Sequence, residues 1–314
     1  MTSVKAPFFR ARRLGHANLF VSDVERSLDF YNRVVGLEEV YRKAAADDLQ
    51  GPAVGGFLSN GNTHHDIAVF RHPSAPALNH LAFELECEAD LIEGYRTATD
   101  AGVQFRVSDH DITRSLYARD PDGNGIEIYS DSTREWRKIR GDGRTVRYAE
   151  APWTPGDPPR FTPADARNYH QDPELRRVDA AVFHPKRITH AVLSVADMEA
   201  SLEFYGSVLG LRIVRGGPTD TCVVLSGATN GEHVILLSAP SPGETGLRRV
   251  GFEIWSDADL EESRCRLQEA GLTPEEEFTS DLRRSLFLRD PDGFLLEFYT
   301  ESRPNAPRPF APPA

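Results

Sequence analysis

Apolar and polar positions along the chain fall into a small set of patterns that recur in a fixed order. LGHANLFV at 14–21 alternates with period two, as a strand with one buried face does. DVERSLDFYNRVVG then brings apolar residues round at helical spacing through Val24, Leu28, Tyr31, Val34 and Val35, with Ser22 or Asp23 as N-cap and Gly36 as the stop. Apolar strand patterns follow near 38–43, 53–58 and 66–71. The plan then repeats: HLAFELE as a strand, ADLIEGYRTATDAG as a helix, and strands near 104–107, 115–119 and 125–130, the last two joined by a DPDG turn. Each half reads as a βαβββ unit, and two units make a module.

The module itself is duplicated. HANLFVSDVERSLDFYNRVVGL (16–37) aligns without gaps to HAVLSVADMEASLEFYGSVLGL (190–211), LNHLAFEL (78–85) to LRRVGFEI (247–254), and TRSLYARDPDGNGIEIY (113–129) to RRSLFLRDPDGFLLEFY (283–299). The expected fold class is α+β: two tandem modules, each a pair of βαβββ units curled into a cup-shaped mixed sheet. The boundaries expected are a first module over 1–135, a proline-rich connector crossing the surface over 136–183, a second module over 184–303, and a loosely attached tail over 304–314.

Composition narrows the function classes. A chain of 314 residues, 39% hydrophobic, is long enough for two hydrophobic cores. No apolar run approaches the roughly 18–20 residues of a membrane helix, and the start MTSVKAPFFRARRLG lacks an apolar secretory stretch. A cytoplasmic protein without a membrane partner is expected. The formal net charge of -12 disfavours a nucleic-acid surface. Cys87, Cys222 and Cys265 are widely spaced, and are expected to be buried thiols rather than a disulfide or zinc set. The partner expected is a small molecule; the sequence leaves the oligomeric state open, a homodimer being one outcome because symmetric association is common.

Face assignment supplies the candidate chemistry. In LGHANLFV the core takes Ala17, Leu19 and Val21, which turns His16 and Asn18 the other way. In NHLAFEL the core takes Leu81, Phe83 and Leu85, leaving His80 opposite; in GIEIY it takes Ile126 and Ile128, leaving Glu127 opposite. Two histidines and a carboxylate therefore share the second face, the inside of the cup. Such a set matches a facial triad that holds Fe(II), or Mn(II), with open positions for a chelating substrate and O2. Taken singly, each is as readily an isolated polar group on a solvated face.

The order of His in the first strand, His in the fifth and Glu in the last, with DPDG before the Glu, resembles the vicinal oxygen chelate superfamily. Within it, His110, five residues, Leu116, Tyr117, two residues, Asp120, Pro121, one residue, Gly123, three residues and Glu127 resemble the signature of type I extradiol ring-cleaving dioxygenases, Ser108 being a departure. The resemblance implies His65, fifteen residues before His80, as the acid/base near the oxygen site, and His110 and Tyr117 as hydrogen-bonding partners of a catecholic substrate. His64 is expected at the surface or behind the site, Asp66 as a structural hydrogen-bonder, and His72 in a solvated loop. The second copy keeps His190 and Glu297 but has Arg249 for His80, Ser280 for His110 and Phe287 for Tyr117. Arg249 cannot ligate a cation; it is expected to fill the vacant position and pair with Glu297. Within NGEHVILL, either Glu232 or His233 stands in for His65. Here the usual two-domain arrangement, with the metal in the C-terminal module, is reversed. The activity expected is ring cleavage of a catechol by O2 in the N-terminal module. Its rivals are a metal-dependent isomerase or lyase of the glyoxalase kind, and a non-catalytic protein that binds an aromatic ligand.

Overall fold

The computed structural model describes residues 6–301, apart from 46–47, 62, 73, 133–135, 137–152, 155, 157, 160–174, 230 and 240–243. Most of the stretch read as a connector, and the tail at 304–314, lie outside the described residues. The first module comprises β1 (Arg13–Val21), α1 (Val24–Phe30), β2 (Glu38–Ala45), β3 (Asp48–Ser59), β4 (Ile67–Arg71), β5 (Ala77–Glu84), α2 (Glu88–Asp100), β6 (Arg106–Asp109), β7 (Thr113–Arg119) and β8 (Gly125–Asp131). The second repeats it as β9 (Pro185–Val195), α3 (Met198–Glu203), β10 (Arg212–Arg215), β11 (Cys222–Ser226), β12 (Val234–Ser238), β13 (Gly246–Ile254), α4 (Asp257–Glu269), β14 (Glu276–Thr279), β15 (Arg283–Arg289) and β16 (Leu295–Glu301).

Each module forms an eight-stranded mixed sheet, ordered β2-β3-β4-β1-β5-β8-β7-β6 and β10-β11-β12-β9-β13-β16-β15-β14. The strands carrying the candidate ligands, β1, β5 and β8, are therefore central neighbours. Register places His16 opposite Ala82, Ala82 opposite Glu127, and His80 opposite Asn18. Because side chains alternate along a strand, Ala82 and His80 share a face, which brings all three polar groups together above the small Ala82 side chain.

Asp23 caps α1 by accepting from Arg26 N at 3.1 Å, and Asp197 caps α3 by accepting from Ala200 N at 3.0 Å. Both helices run on into a π turn, at 31–35 and 204–208, which the helical periodicity does not announce. These turns meet the opposite module. The Tyr31 hydroxyl donates to Asp290 Oδ2 at 2.9 Å, and Tyr205 donates to Asp120 Oδ2 at 2.9 Å. The aspartates that open the two DPDG turns are thus tied across the interface, each to the other module's helix.

The segments before β1 and β9 are exchanged in the same reciprocal way. Phe8 and Phe9 donate backbone N–H groups to Ser207 O and Val208 O, and Val182 and Phe183 donate to Arg33 O and Val34 O, at 2.9–3.0 Å. Glycine is required where these segments cross the helix ends. A Cβ at Gly36 would lie 2.0 Å from Phe183 O, one at Gly210 2.4 Å from Phe9 O, and both residues have positive φ.

Two separate cores were expected, and the structure instead has one continuous apolar cluster that runs from Phe9, Leu14 and Phe83 through to Phe252 and Phe298. The exchanged segments carry Phe9 and Phe183 into the junction, so the apolar cluster passes from one module to the other. Cys265 also departs from expectation. It is exposed, because α4 buries Leu260, Ser263 and Leu267 and turns Cys265 outward, while Cys87 is buried and Cys222 half-buried. Within the connector stretch, Trp153 is buried and donates from Nε1 to Ser115 O at 3.3 Å. Among the described residues no helix is long and apolar enough to cross a membrane.

The interface hydrogen bonds have a measurable expectation. Tyr31→Phe and Tyr205→Phe each leave a buried aspartate without its phenol donor, at a cost of about 1–3 kcal/mol. Urea unfolding should show both losses within a single transition, whereas independent transitions for the two modules would contradict the shared core.

Candidate active site

The N-terminal module brings His16, His80 and Glu127 together. His80 Nε2 lies 2.8 Å and His16 Nε2 3.1 Å from Glu127 Oε2, and the two imidazole nitrogens are 3.4 Å apart. All three side chains are buried. Adjacent donors around an octahedral ion at about 2.1 Å stand about 3 Å apart, so the donor set has the spacing that one face of such an ion requires.

Charge makes the same case. Burial lowers the pKa of His16 to about 4, outweighing the pull of Glu127. Burial alone would raise the Glu127 carboxyl, but hydrogen bonds from His16 and His80 hold it well below the usual range. The site at neutral pH is therefore a buried carboxylate beside imidazoles, with no Lys or Arg ion pair recorded to Glu127 among the described residues. An uncompensated buried carboxylate is costly, and a divalent cation removes that cost.

The homologous carboxylate is compensated by protein alone. Glu297 Oε1 accepts from Arg283 Nη2 at 2.7 Å, Arg283 Nε at 3.0 Å and Ser285 Oγ at 2.7 Å, while Arg249 Nε lies 3.1 Å from Oε2. Arg249 is 2% exposed, so it does not point into solvent. Arg283, which replaces Thr113 and which sequence reasoning passed over, also donates to Glu232 Oε2 at 3.1 Å. Strand register settles the open choice in NGEHVILL: Val234 pairs with Ala191 as Ile67 pairs with Ala17, so Glu232 occupies the position of His65. His190 remains 3.3 Å from Glu297 Oε2 and packs over Gly251, where Ala82 stands in the first module.

Around the first site, His110 Nε2 and the Tyr117 hydroxyl are 2.9 Å apart. The Tyr117 ring meets the His80 ring edge to face at 5.5 Å. His65 stacks on Phe57 at 4.5 Å and lies 4.0 Å, centroid to centroid, from His16. Its pKa is pushed well below the ordinary value by burial and by the neighbouring imidazoles.

His64 is not at the surface. It is buried, with Nδ1 2.6 Å from His65 Nδ1 and Nε2 3.4 Å from Asp131 Oδ1. Residues 63–66 precede β4 and are not strand, so the alternation used to turn His64 to the other face does not operate there. Asp66 is structural: it accepts from Asn60 N at 3.0 Å and, across the modules, from Ile188 N at 3.3 Å. His72 accepts from Ser74 N and Ala75 N in its loop.

An inner space of about 50 Å³ has a lining that includes His16, His64, His65, His80, His110, Tyr117 and Glu127, with Ile112 and Thr113, and also Asn18, Phe57 and Phe70. It adjoins an outer cleft of about 730 Å³, and Asn18, Phe70, His80, His110 and Tyr117 line both. The last three residues of the inner set were not singled out from sequence. Asn18 had the signal, since it shares the His16 face of β1; Phe57 and Phe70 read only as strand apolars.

The depressed histidines set a pH dependence. An unfolded chain takes up protons on His16 and His65 near pH 6.5, whereas folded His16 does so only near pH 4. The unfolded state binds more protons in that window, so stability falls as pH drops through it. Glu127, depressed in the fold, adds to the loss below its ordinary value of 4.5. Thermal melts of the metal-free protein should show a midpoint that declines from pH 6.5 to 4, with a flatter profile for His65→Asn. A pH-independent midpoint in both would contradict the neutral, buried imidazoles.

Two tandem modules of paired βαβββ units define a fold of the vicinal oxygen chelate type, and one of them carries a convergent His, His, Glu set that could hold a metal ion. Residues 13–128 and 187–298 match the Glyoxalase/Bleomycin resistance protein/Dioxygenase superfamily, and the chain belongs to it. The chain is 28% identical over 204 residues to the catechol-2,3-dioxygenase of Bacillus subtilis (strain 168), covering 64% of this chain and 66% of that one. It is 34% identical over 130 residues to biphenyl-2,3-diol 1,2-dioxygenase 3 of Rhodococcus globerulus, covering 38% and 64%. These matches span a little under two thirds of each relative's length. In fold it is similar to the 2,3-dioxygenase LapB from Pseudomonas sp. KL28, with a TM-score of 0.67 at 17% identity over 98% of this chain and 97% of that one.

Proposed function

We infer that the N-terminal module is the working centre of an extradiol dioxygenase, which opens a catecholic ring and inserts both atoms of O2. The observation that carries this reading is the buried carboxylate of Glu127 flanked at 2.8 and 3.1 Å by two imidazoles, beside a cleft edged by His110 and Tyr117. His16, His80 and Glu127 would hold a ferrous ion, with manganese as the alternative. When bound, such an ion acidifies a catechol and relays electrons to dioxygen.

The chain's own groups orient substrate and handle protons. The inner space of about 50 Å³ is small, so the ring lies in the outer cleft and only its oxygens reach inward. Tyr117 and His110, already hydrogen-bonded to each other, present a donor to a substrate oxygen and hold it in place. Burial keeps His65 neutral; with Nδ1 engaged by His64, Nε2 is the atom that takes up a proton and returns it. Phe57 fixes the plane of that ring by stacking.

The glyoxalase-type reading calls for a further carboxylate ligand. Glu127 is the one carboxylate lining the inner space among the described residues, and His65 stands where the other would be. The second module, with Glu297 held by Arg283 and Arg249, is read as a retained scaffold. Anaerobic loading with Fe(II), followed by air and a set of catechols, tests the assignment through oxygen uptake and a yellow ring-opened product. No turnover of any catechol by protein that has bound the ion would reject it.

A further inference from the structure

Strand β8 carries a second buried carboxylate on the same face as Glu127. Side chains alternate along a strand, so Glu127, Tyr129 and Asp131 point the same way, with the Tyr129 ring between the two acids. Asp131 is 4% exposed, and neither of its side-chain oxygens has a hydrogen-bond partner among the described residues. The ion-pair contact recorded for it is with His64, whose Nε2 lies 3.4 Å from Oδ1. A buried carboxylate so sparsely matched costs stability, and an apolar side chain at the end of β8 would avoid that cost. Folding alone does not account for it.

Two adjacent imidazoles connect this carboxylate to the inner space. His64 Nδ1 lies 2.6 Å from His65 Nδ1, a separation that admits one hydrogen between the two nitrogens. An ionised carboxylate only accepts, so a bare Nε2 on His64 would set a lone pair against negative charge; the hydrogen of the neutral ring belongs on Nε2. His64 Nδ1 is then the acceptor, which places the shared hydrogen on His65 Nδ1. His65, kept neutral by burial, is left with a bare Nε2, the form in which the ring can take up a proton. Tyr129 packs edge to face on His64 at 5.6 Å and Phe57 stacks on His65 at 4.5 Å, so both ring planes are braced.

The second module offers a comparison. By the register that sets Glu232 at the position of His65, Gly231 stands at that of His64. Both imidazoles are therefore replaced in the module where Arg249 and Arg283 hold the carboxylate of Glu297. The pair accompanies the convergent His, His, Glu set and is lost with it.

Resting on the dioxygenase reading above, we propose that Asp131 and His64 are positioning residues: Asp131 fixes the tautomer of His64, and His64 in turn fixes that of His65, so that a bare Nε2 is presented to the inner space. Asp131→Asn keeps the shape of the side chain but adds an amide N–H, which can donate to His64 Nε2 and release the arrangement.

Heteronuclear NMR of the Zn(II)-loaded chain, labelled at its histidine nitrogens, reads the hydrogen positions directly, with His64→Asn and His65→Asn spectra for assignment. The wild-type protein is expected to carry hydrogen on Nε2 alone in His64 and on Nδ1 alone in His65. In Asp131→Asn the His65 hydrogen should spread to Nε2. With Fe(II) and air, kcat for ring opening by that variant should fall at least about tenfold, while ion content and anaerobic catechol affinity stay unchanged. A wild-type His64 with hydrogen on Nδ1, or on both nitrogens, overturns the proposal before any variant is made. So does Asp131→Asn protein with an unaltered His65 ring or an undiminished kcat. Rings that respond as expected, in protein that binds the ion and opens no catechol, uphold the tautomer assignment and reject the dioxygenase reading alone.

Discussion

His80→Ala is expected to lower affinity for the divalent ion by more than about a hundredfold, beyond the range for loss of an outer-shell partner, and to abolish oxygen uptake with any catechol. The reason lies in the donor geometry. His80 Nε2 is the nearer of the two imidazole nitrogens to Glu127 Oε2, at 2.8 Å, so its removal opens one third of the donor face and takes a hydrogen bond from a buried carboxylate. Metal content after gel filtration and the oxygen-electrode trace report the two effects separately. Retained stoichiometric metal in His80→Ala would mean that the ion sits elsewhere, with His16, His64 and His65 as the other convergent set.

The second large effect concerns stability. Arg283 joins Glu297 and Glu232 within the buried interior of the C-terminal module, and all three residues are no more than 5% exposed. Arg283→Met removes one shared cation from two buried carboxylates, leaving Arg249 against Glu297 Oε2, and a loss of about 3–5 kcal/mol is expected. Denaturant midpoints measure that loss, while turnover at low temperature should persist, since the proposed centre is in the other module. Restoring the first module's residues by Arg249→His with Arg283→Thr is the combination that removes both guanidinium groups from Glu297. Arg249→His alone leaves Arg283 on Oε1 and should bind no second ion. A stability change below about 1 kcal/mol for Arg283→Met would show the buried cluster to be energetically idle.

Period-two alternation was enough to turn His16, His80 and Glu127 onto one face, because β1, β5 and β8 are regular strands and adjacent in the sheet. The same reasoning left His64 open between the surface and a place behind the site, since residues 63–66 leave the strand geometry on which it depends, and the structure buries it against His65. Arg283 was missed for a different reason: its counterpart Thr113 suggests no chemistry, and only a long side chain reaching across the site reveals the role. The π turns, likewise, differ from an α-helix by one hydrogen-bond step that apolar spacing cannot register. Division into two cores failed because the segments that cross between modules are short and look like ordinary lead-in to a strand.

The paired contacts of Tyr31 with Asp290 and of Tyr205 with Asp120 have the form of an isologous interface, in which one patch meets its own copy about a two-fold axis. In a dimer of identical single modules every change is made twice, so loss of a ligand in one site is loss in both. Fusion into one chain uncouples the halves: the contacts remain symmetric while the sequences are free to part. A symmetric junction can therefore carry unlike sites, and the exchange of an imidazole for the guanidinium of Arg249 is confined to one side of it.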